Sequence, residues 1–293
     1  MRKIKMIDFL LLLFIFSSCE KVIEVDLPEQ KTQLILNAVI ETHKPVIVSV
    51  TESLGILDTA KFSFIKHADI EIFENGSFKE KLVYSEDGNY ISKRTIPKYG
   101  NKYKIVASSY EYNEVFAETD IPANVQIYNV IVKDSIAFDS ERSKASISFT
   151  INDPGGINYY SIGMYLLDIQ YSNDLEPLRV EIQHPGFEFF NYNNEEKILF
   201  AQTLNAKEYN IEIFLDSKYL DLKRPAWTGQ PHLQLLLNVS TFSPEYTLYR
   251  KSVIEQEQSR NNPFAEPAPV YSNVINGNGI VIGKNNRLIT INK

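Results

Sequence analysis

One residue carries chemistry that its neighbours make specific. Cys19 is the single cysteine in 293 residues, and it follows Ser17-Ser18 directly. Ahead of it lie a basic head, Met1-Arg-Lys-Ile-Lys5, and an apolar stretch, Phe9-Leu-Leu-Leu-Leu-Phe-Ile-Phe16. That order of basic, apolar and small residues is a secretory signal, and the apolar part is too short to span a bilayer. A cysteine at the cleavage point makes it a lipoprotein signal. Cleavage after residue 18 leaves Cys19 with a free amine and thiol, both of which can be acylated. Two or three long acyl chains, at about 0.8 kcal/mol per buried methylene, then anchor the protein to a membrane. Glu20 follows the cysteine where an inner-membrane retention signal would have Asp, so the expected address is the outer membrane, on either face.

Other reactive groups form no such pattern. His43, His67, His184 and His232 stand at no spacing that suggests a metal site, so no metal ligand is expected. The chain has no Gly-x-Ser-x-Gly elbow, phosphate loop or dinucleotide fingerprint. Carboxylates are plentiful, yet nothing singles out a glycosidase pair. The sequence therefore predicts no catalytic residue, no cofactor and no enzyme, with an unrecognised hydrolase the least favoured reading.

Two loops carry aromatic residues that suit binding. His184-Pro-Gly-Phe-Glu-Phe-Phe-Asn-Tyr-Asn-Asn194 sets Phe187, Phe189, Phe190 and Tyr192 among turn residues and amides. Aromatic faces beside amides can hold a sugar or a partner's loop. The blander and favoured reading is that these rings plug the end of the second sandwich. Trp227, the single tryptophan, sits in Arg224-Pro-Ala-Trp-Thr-Gly-Gln-Pro231 and is either an interface anchor or a core plug. Asp58-Thr59-Ala60 and Asp134-Ser135-Ile136 match a short Asp-Ser/Thr-apolar O-glycosylation pattern.

Charge excludes one class of partner. Losing residues 1–18 removes Arg2, Lys3, Lys5 and Asp8, which takes the formal net charge from −7 to −9. A chain that acidic repels the phosphate backbone, so no nucleic-acid partner is expected. With 44% hydrophobic and 23% charged residues it is globular. Without a second cysteine in the mature chain, no internal disulfide is available to stabilise it.

The elements that position these groups are mostly strands. Residues 19–32 form a short charged tether. From residue 33 to 122 the apolar period is two, with β-branched runs such as Leu34–Ile40 and Val46–Thr51. Glu74-Asn75-Gly76-Ser77 is an Asn-Gly hairpin turn. This segment predicts an immunoglobulin-like β-sandwich ending near Ile121-Pro122. Residues 123–293 predict a second β-rich domain with longer loops, with strands at Tyr159–Ile169, Lys197–Phe200, Ile211–Leu215 and His232–Val239. One helix is expected over 244–257: Ser243 can cap it, Pro244 suits its first position, and Glu245 complements its dipole. Tyr246, Tyr249, Val253 and Ile254 form its expected packing stripe over the second sheet. The fold class is thus all-β, as two sandwich-like domains with one C-terminal helix.

Several motifs in order resemble a Bacteroidota outer-membrane lipoprotein family known as domain of unknown function number 4249. They are Cys19 with Val22-Ile-Glu-Val-Asp26, Ala68-Asp-Ile-Glu-Ile72, Gly88-Asn-Tyr90, Tyr99-Gly-Asn-Lys-Tyr103 and Thr119-Asp-Ile-Pro122. The C-terminal set is the most specific: Asn262-Pro-Phe-Ala-Glu-Pro267, Tyr271-Ser-Asn273 and Asn276-Gly-Asn-Gly279. The resemblance covers the mature chain and implies a lipoprotein encoded beside TonB-dependent receptors. It carries over no catalytic residue. The expectation is a non-catalytic accessory of a TonB-dependent uptake system, and the alternative is a free-standing carbohydrate-binding or adhesive module.

Overall fold

In the computed structural model, the described residues are 32–55, 63–137, 143–155, 158–169, 174–184, 187–188, 197–200, 207–220, 233–260 and 264–292. The first half contributes β1 (Leu34–Glu41), β2 (Ile47–Glu52), β3 (Asp69–Glu74) and β4 (Ser77–Lys81). It continues with β5 (Val83–Tyr84), β6 (Asn89–Ile91), β7 (Lys102–Ser109) and β8 (Tyr112–Asp120). The second half begins with β9 (Gln126–Ala137), β10 (Ser143–Asn152), β11 (Tyr159–Asp168), β12 (Leu175–Leu178) and β13 (Glu181–Gln183). Then come β14 (Phe187–Glu188), β15 (Lys197–Phe200), β16 (Glu208–Asp216), β17 (Leu233–Phe242), helix α1 (Pro244–Arg260) and β18 (Asn278–Thr290). The all-β class with a single long helix is what the described residues show.

One long sheet runs through both halves, in the order β14-β15-β11-β17-β18-β1-β2-β6-β5, with β12 also paired to β11. Two four-stranded sheets pack on the same side of it. The sheet β4-β3-β7-β8 closes a core containing Leu34, Leu36 and Ile40 of β1 with Ile72, Tyr103 and Ile105 opposite. The sheet β13-β16-β10-β9 closes a second core around Phe149, Tyr160, Ile162, Ile213 and Leu237. Both cores follow period-two alternation, which places every second side chain on one face.

β18 holds the two sandwiches together. It pairs with β1 in parallel and with β17 antiparallel, so the last strand lies between strands from opposite halves. Its odd-numbered residues face the cores. Val281 enters the first core, and Ile289 and Ile291 belong to the second. Between them, the same face holds the connection from β8 to β9. Asn285 Nδ2 donates to the Pro122 carbonyl (3.0 Å), and Arg287 donates to the Val125 carbonyl (2.7 Å). Gly283 lies so close that an added Cβ would sit 2.1 Å from the Asp120 carbonyl oxygen. Thr32–Lys293 accordingly forms one compact unit.

Local chemistry explains the tight ends. Asn75 (φ 51°) and Gly76 (φ 80°) adopt the left-handed pair that a two-residue hairpin turn requires. Beside that turn, Glu74 pairs with Lys79 (2.6 Å) and accepts from the Tyr103 hydroxyl (2.6 Å) and Asn101 Nδ2 (2.8 Å). The Lys79 and Tyr103 hydrogen bonds hold its carboxyl down at about 2. Glu80, almost fully buried, accepts from the backbone amides of Lys93, Arg94 and Thr95. A buried charge is tolerated there because amide donors surround it.

The helix begins at Pro244 as its sequence indicates, but its packing differs from the expected stripe. Its buried side chains are Thr247 and Ser252, and the helix packs on β18. Ser252 Oγ accepts from the Tyr271 amide (2.8 Å), which ties down the segment returning after the helix. The Ser243 carbonyl accepts from the Tyr246 amide (3.1 Å), and Ser243 Oγ accepts from the Gly283 amide (3.1 Å) and fastens β18. Tyr246 stacks on Phe242 with ring centroids 4.1 Å apart, and it turns with Tyr249 toward the outer face of the long sheet.

Candidate functional site

The face of β1, β2 and β18 that points away from the cores should be polar, and in part it is not. Val39 is opposite Ile47 on β2 and opposite Ile282 on β18. Val39 and Ile47 remain 49% and 47% exposed. Helix α1 stands beside this stripe, and its Tyr246 and Tyr249 form a wall. Floor and wall enclose a groove of about 680 Å³, within the range of small-ligand sites.

Two polar rows border the apolar stripe. On one side Asn37, Ser49 and Asn89 stand opposite one another across β1, β2 and β6. Asn37 Oδ1 accepts from the Ile280 amide (3.0 Å), and Asn89 Nδ2 donates to Asp87 (3.2 Å). On the other side Glu41 pairs with Lys44 (3.0 Å) and stands opposite Lys284. Asn286 Nδ2 also donates to Glu41, and Ser240 donates to Asn286. A hydrogen-bonded chain therefore runs from Asn238 and Ser240, both buried, to the charged rim of the groove. Lys284 Nζ lies 5.3 Å from the centre of the Phe242 ring, a cation–π distance.

None of the described residues among those singled out by sequence for chemistry or binding lines the groove. Phe187 lies in β14 beside Leu199, whereas Phe189, Phe190, Tyr192, Trp227 and Cys19 lie outside the described residues. Asp58-Thr59-Ala60 and His232 are likewise outside them. Asp134-Ser135-Ile136 falls in β9, with Asp134 exposed. His43 occupies an exposed turn with φ 64°, and His67 is exposed. His184 is edge-on to Tyr209, and burial lowers its pKa. Among the described residues no three His, Cys, Asp or Glu side chains gather into a metal-binding group. The groove residues were missed by sequence reasoning. The available signal was Leu34–Ile40, which is apolar at Ile35 and Val39 as well as at the core positions, a run that suits a strand covered on both faces.

A sandwich-like all-β protein with a ligand-sized groove on its continuous sheet is the class these features define. The family model described as Domain of unknown function (DUF4249) matches residues 20–288, and the chain belongs to that family. No curated protein matches it.

Proposed function

We propose that this chain is a non-catalytic lipoprotein of the outer membrane, held through Cys19, that serves as an accessory binding component of a TonB-dependent uptake system. The observation that carries the binding role is the open apolar groove between α1 and the long sheet, since a monomeric surface seldom leaves such a stripe uncovered without a use. The signal-like residues 1–18, with Cys19 directly after them, support the anchor, and the family resemblance supports the transport setting. Sharing a membrane raises the effective concentration of two partners, so a modest interface suffices. A free-standing carbohydrate-binding module is the second reading, favoured by the Asn89-Ser49-Asn37 row along the groove.

The test has two parts. Cys19→Ala should move the folded protein from the membrane to the soluble fraction, and its persistence in membranes would sink the anchor. The lipidated wild type should recover an outer-membrane receptor in mild-detergent pull-downs, and Val39→Asp should abolish that recovery without lowering the melting temperature. Recovery of no membrane partner would transfer the case to the carbohydrate module.

A further inference from the structure

The groove's chemistry is ordered in rows, and the rows point to one class of ligand. Ile91, Ile47, Val39 and Ile282 are register neighbours on β6, β2, β1 and β18. Val39 and Ile47 are half exposed, Ile91 continues the row beyond the groove lining, and Ile282 is nearly covered where α1 packs on β18. Strands lie about 4.8 Å apart, so this stripe runs for about 14 Å across the sheet. It is aliphatic, and the tyrosine rings of α1, which packs on β18, close the groove at the Ile282 end. Such a stripe buries an unbranched hydrocarbon chain better than a sugar, whose hydroxyls would meet methyl groups and lose their water.

The two flanks are not equivalent. The Glu41 flank carries Lys44 and Lys284 against one carboxylate, leaving one net positive charge on a chain whose formal charge is −7. The Asn37-Ser49-Asn89 flank is neutral, and Asp87 stands beyond it, bonded to Asn89. An anionic head is therefore drawn to the Lys44 side and repelled from the Asp87 side.

We propose that the groove takes a single-chain anionic amphiphile, its aliphatic body along the Ile47–Val39–Ile282 stripe and its carboxylate head at Lys44 and Lys284. This rests on the reading of the groove as a binding site and names what it binds.

Titration calorimetry on the full chain from residue 19, in its soluble Cys19→Ala form, tests this with decanoate, octanoate and octyl glucoside below micelle formation. Decanoate should bind saturably, and octanoate about tenfold more weakly, because two methylenes are lost. Octyl glucoside, uncharged and with a slightly longer hydrocarbon chain, should still bind more weakly than octanoate, and high salt should erase that advantage of the carboxylate. Val39→Asp should reduce decanoate affinity at least tenfold, and Lys44→Gln at least threefold. Ile47→Glu is the second groove variant if Val39→Asp lowers the melting temperature. Equal binding of octyl glucoside and octanoate would overturn the proposal, as would decanoate binding unaffected by a folded groove variant. Binding of maltotetraose in place of decanoate would overturn it as well. If groove variants abolish receptor recovery while no amphiphile binds, this ligand class fails and the binding role stands.

Discussion

The central strands β1, β2 and β18 carry aliphatic side chains on both faces, and the two faces have different fates. Inward, Leu34, Leu36 and Ile40 are at most 1% exposed beneath a facing sheet. Outward, Val39 and Ile47 are about half exposed, with a single helix beside them. The residue types are alike, so hydrophobicity alone does not decide what becomes core. The closing layer decides. On β1 a second sheet covers the inner face along the whole strand, whereas a 17-residue helix covers only one side of the outer face and leaves a trough.

Both faces depend on one close approach, at Gly279. Its φ is +119°, and an added Cβ would lie 2.1 Å from the Leu36 carbonyl oxygen. Gly279→Val should separate β18 from β1 and cost on the order of 4 kcal/mol or more. Loss of the cooperative melting transition, or of soluble protein, is the expected readout. Leu36→Ala tests the inner face alone, and it should lower stability by about 3 kcal/mol in urea titrations. Acid acts on the layer that closes the inner face. Glu74 titrates at about 2 when folded and near the ordinary 4.5 when unfolded. The depressed value means its contribution is complete above the unfolded pKa and is lost as pH falls through the folded one. Stability should drop by on the order of 2 kcal/mol more between pH 5 and pH 2 in wild type than in Glu74→Gln. The smallest effect belongs to the outer face. Val39→Ser should change stability by less than about 0.5 kcal/mol, since the site is half solvated, yet weaken decanoate binding. A loss as large as that of Leu36→Ala would show that the outer stripe is core after all.

Local structure was legible in the sequence to the extent that it was locally caused. Asn75-Gly76 announced its hairpin because only residues tolerant of positive φ fit that turn. Ser243-Pro244-Glu245 announced the helix start. Its packing was not legible: Thr247 and Ser252 are the buried positions, because the helix rests on a sheet and a returning segment that its own periodicity does not encode. The groove was illegible for a related reason. Val39, Tyr246 and Ile282 come from three separate segments, and only the parallel β1–β18 pairing brings them together. No short motif specifies a pairing between strands so far apart. The aromatic residues chosen from sequence, Phe187 apart, lie outside the described residues.

The pairing of β1 with β18 also dictates an order of events. Asn37 and Ile280 are hydrogen-bonded across 243 positions, so the first strand made is completed by the last. Closing so long a loop costs entropy that grows only logarithmically with its length, so the wait matters more than the price. Until residues 278–290 arrive, β1 presents a bare row of amides and carbonyls, an edge that invites pairing with a stranger. A chain emerging amino end first must spend nearly its whole synthesis in that condition, exposed to aggregation unless something shields it. Cutting the chain before residue 278 would make that condition permanent, with each core also missing its share of the common wall.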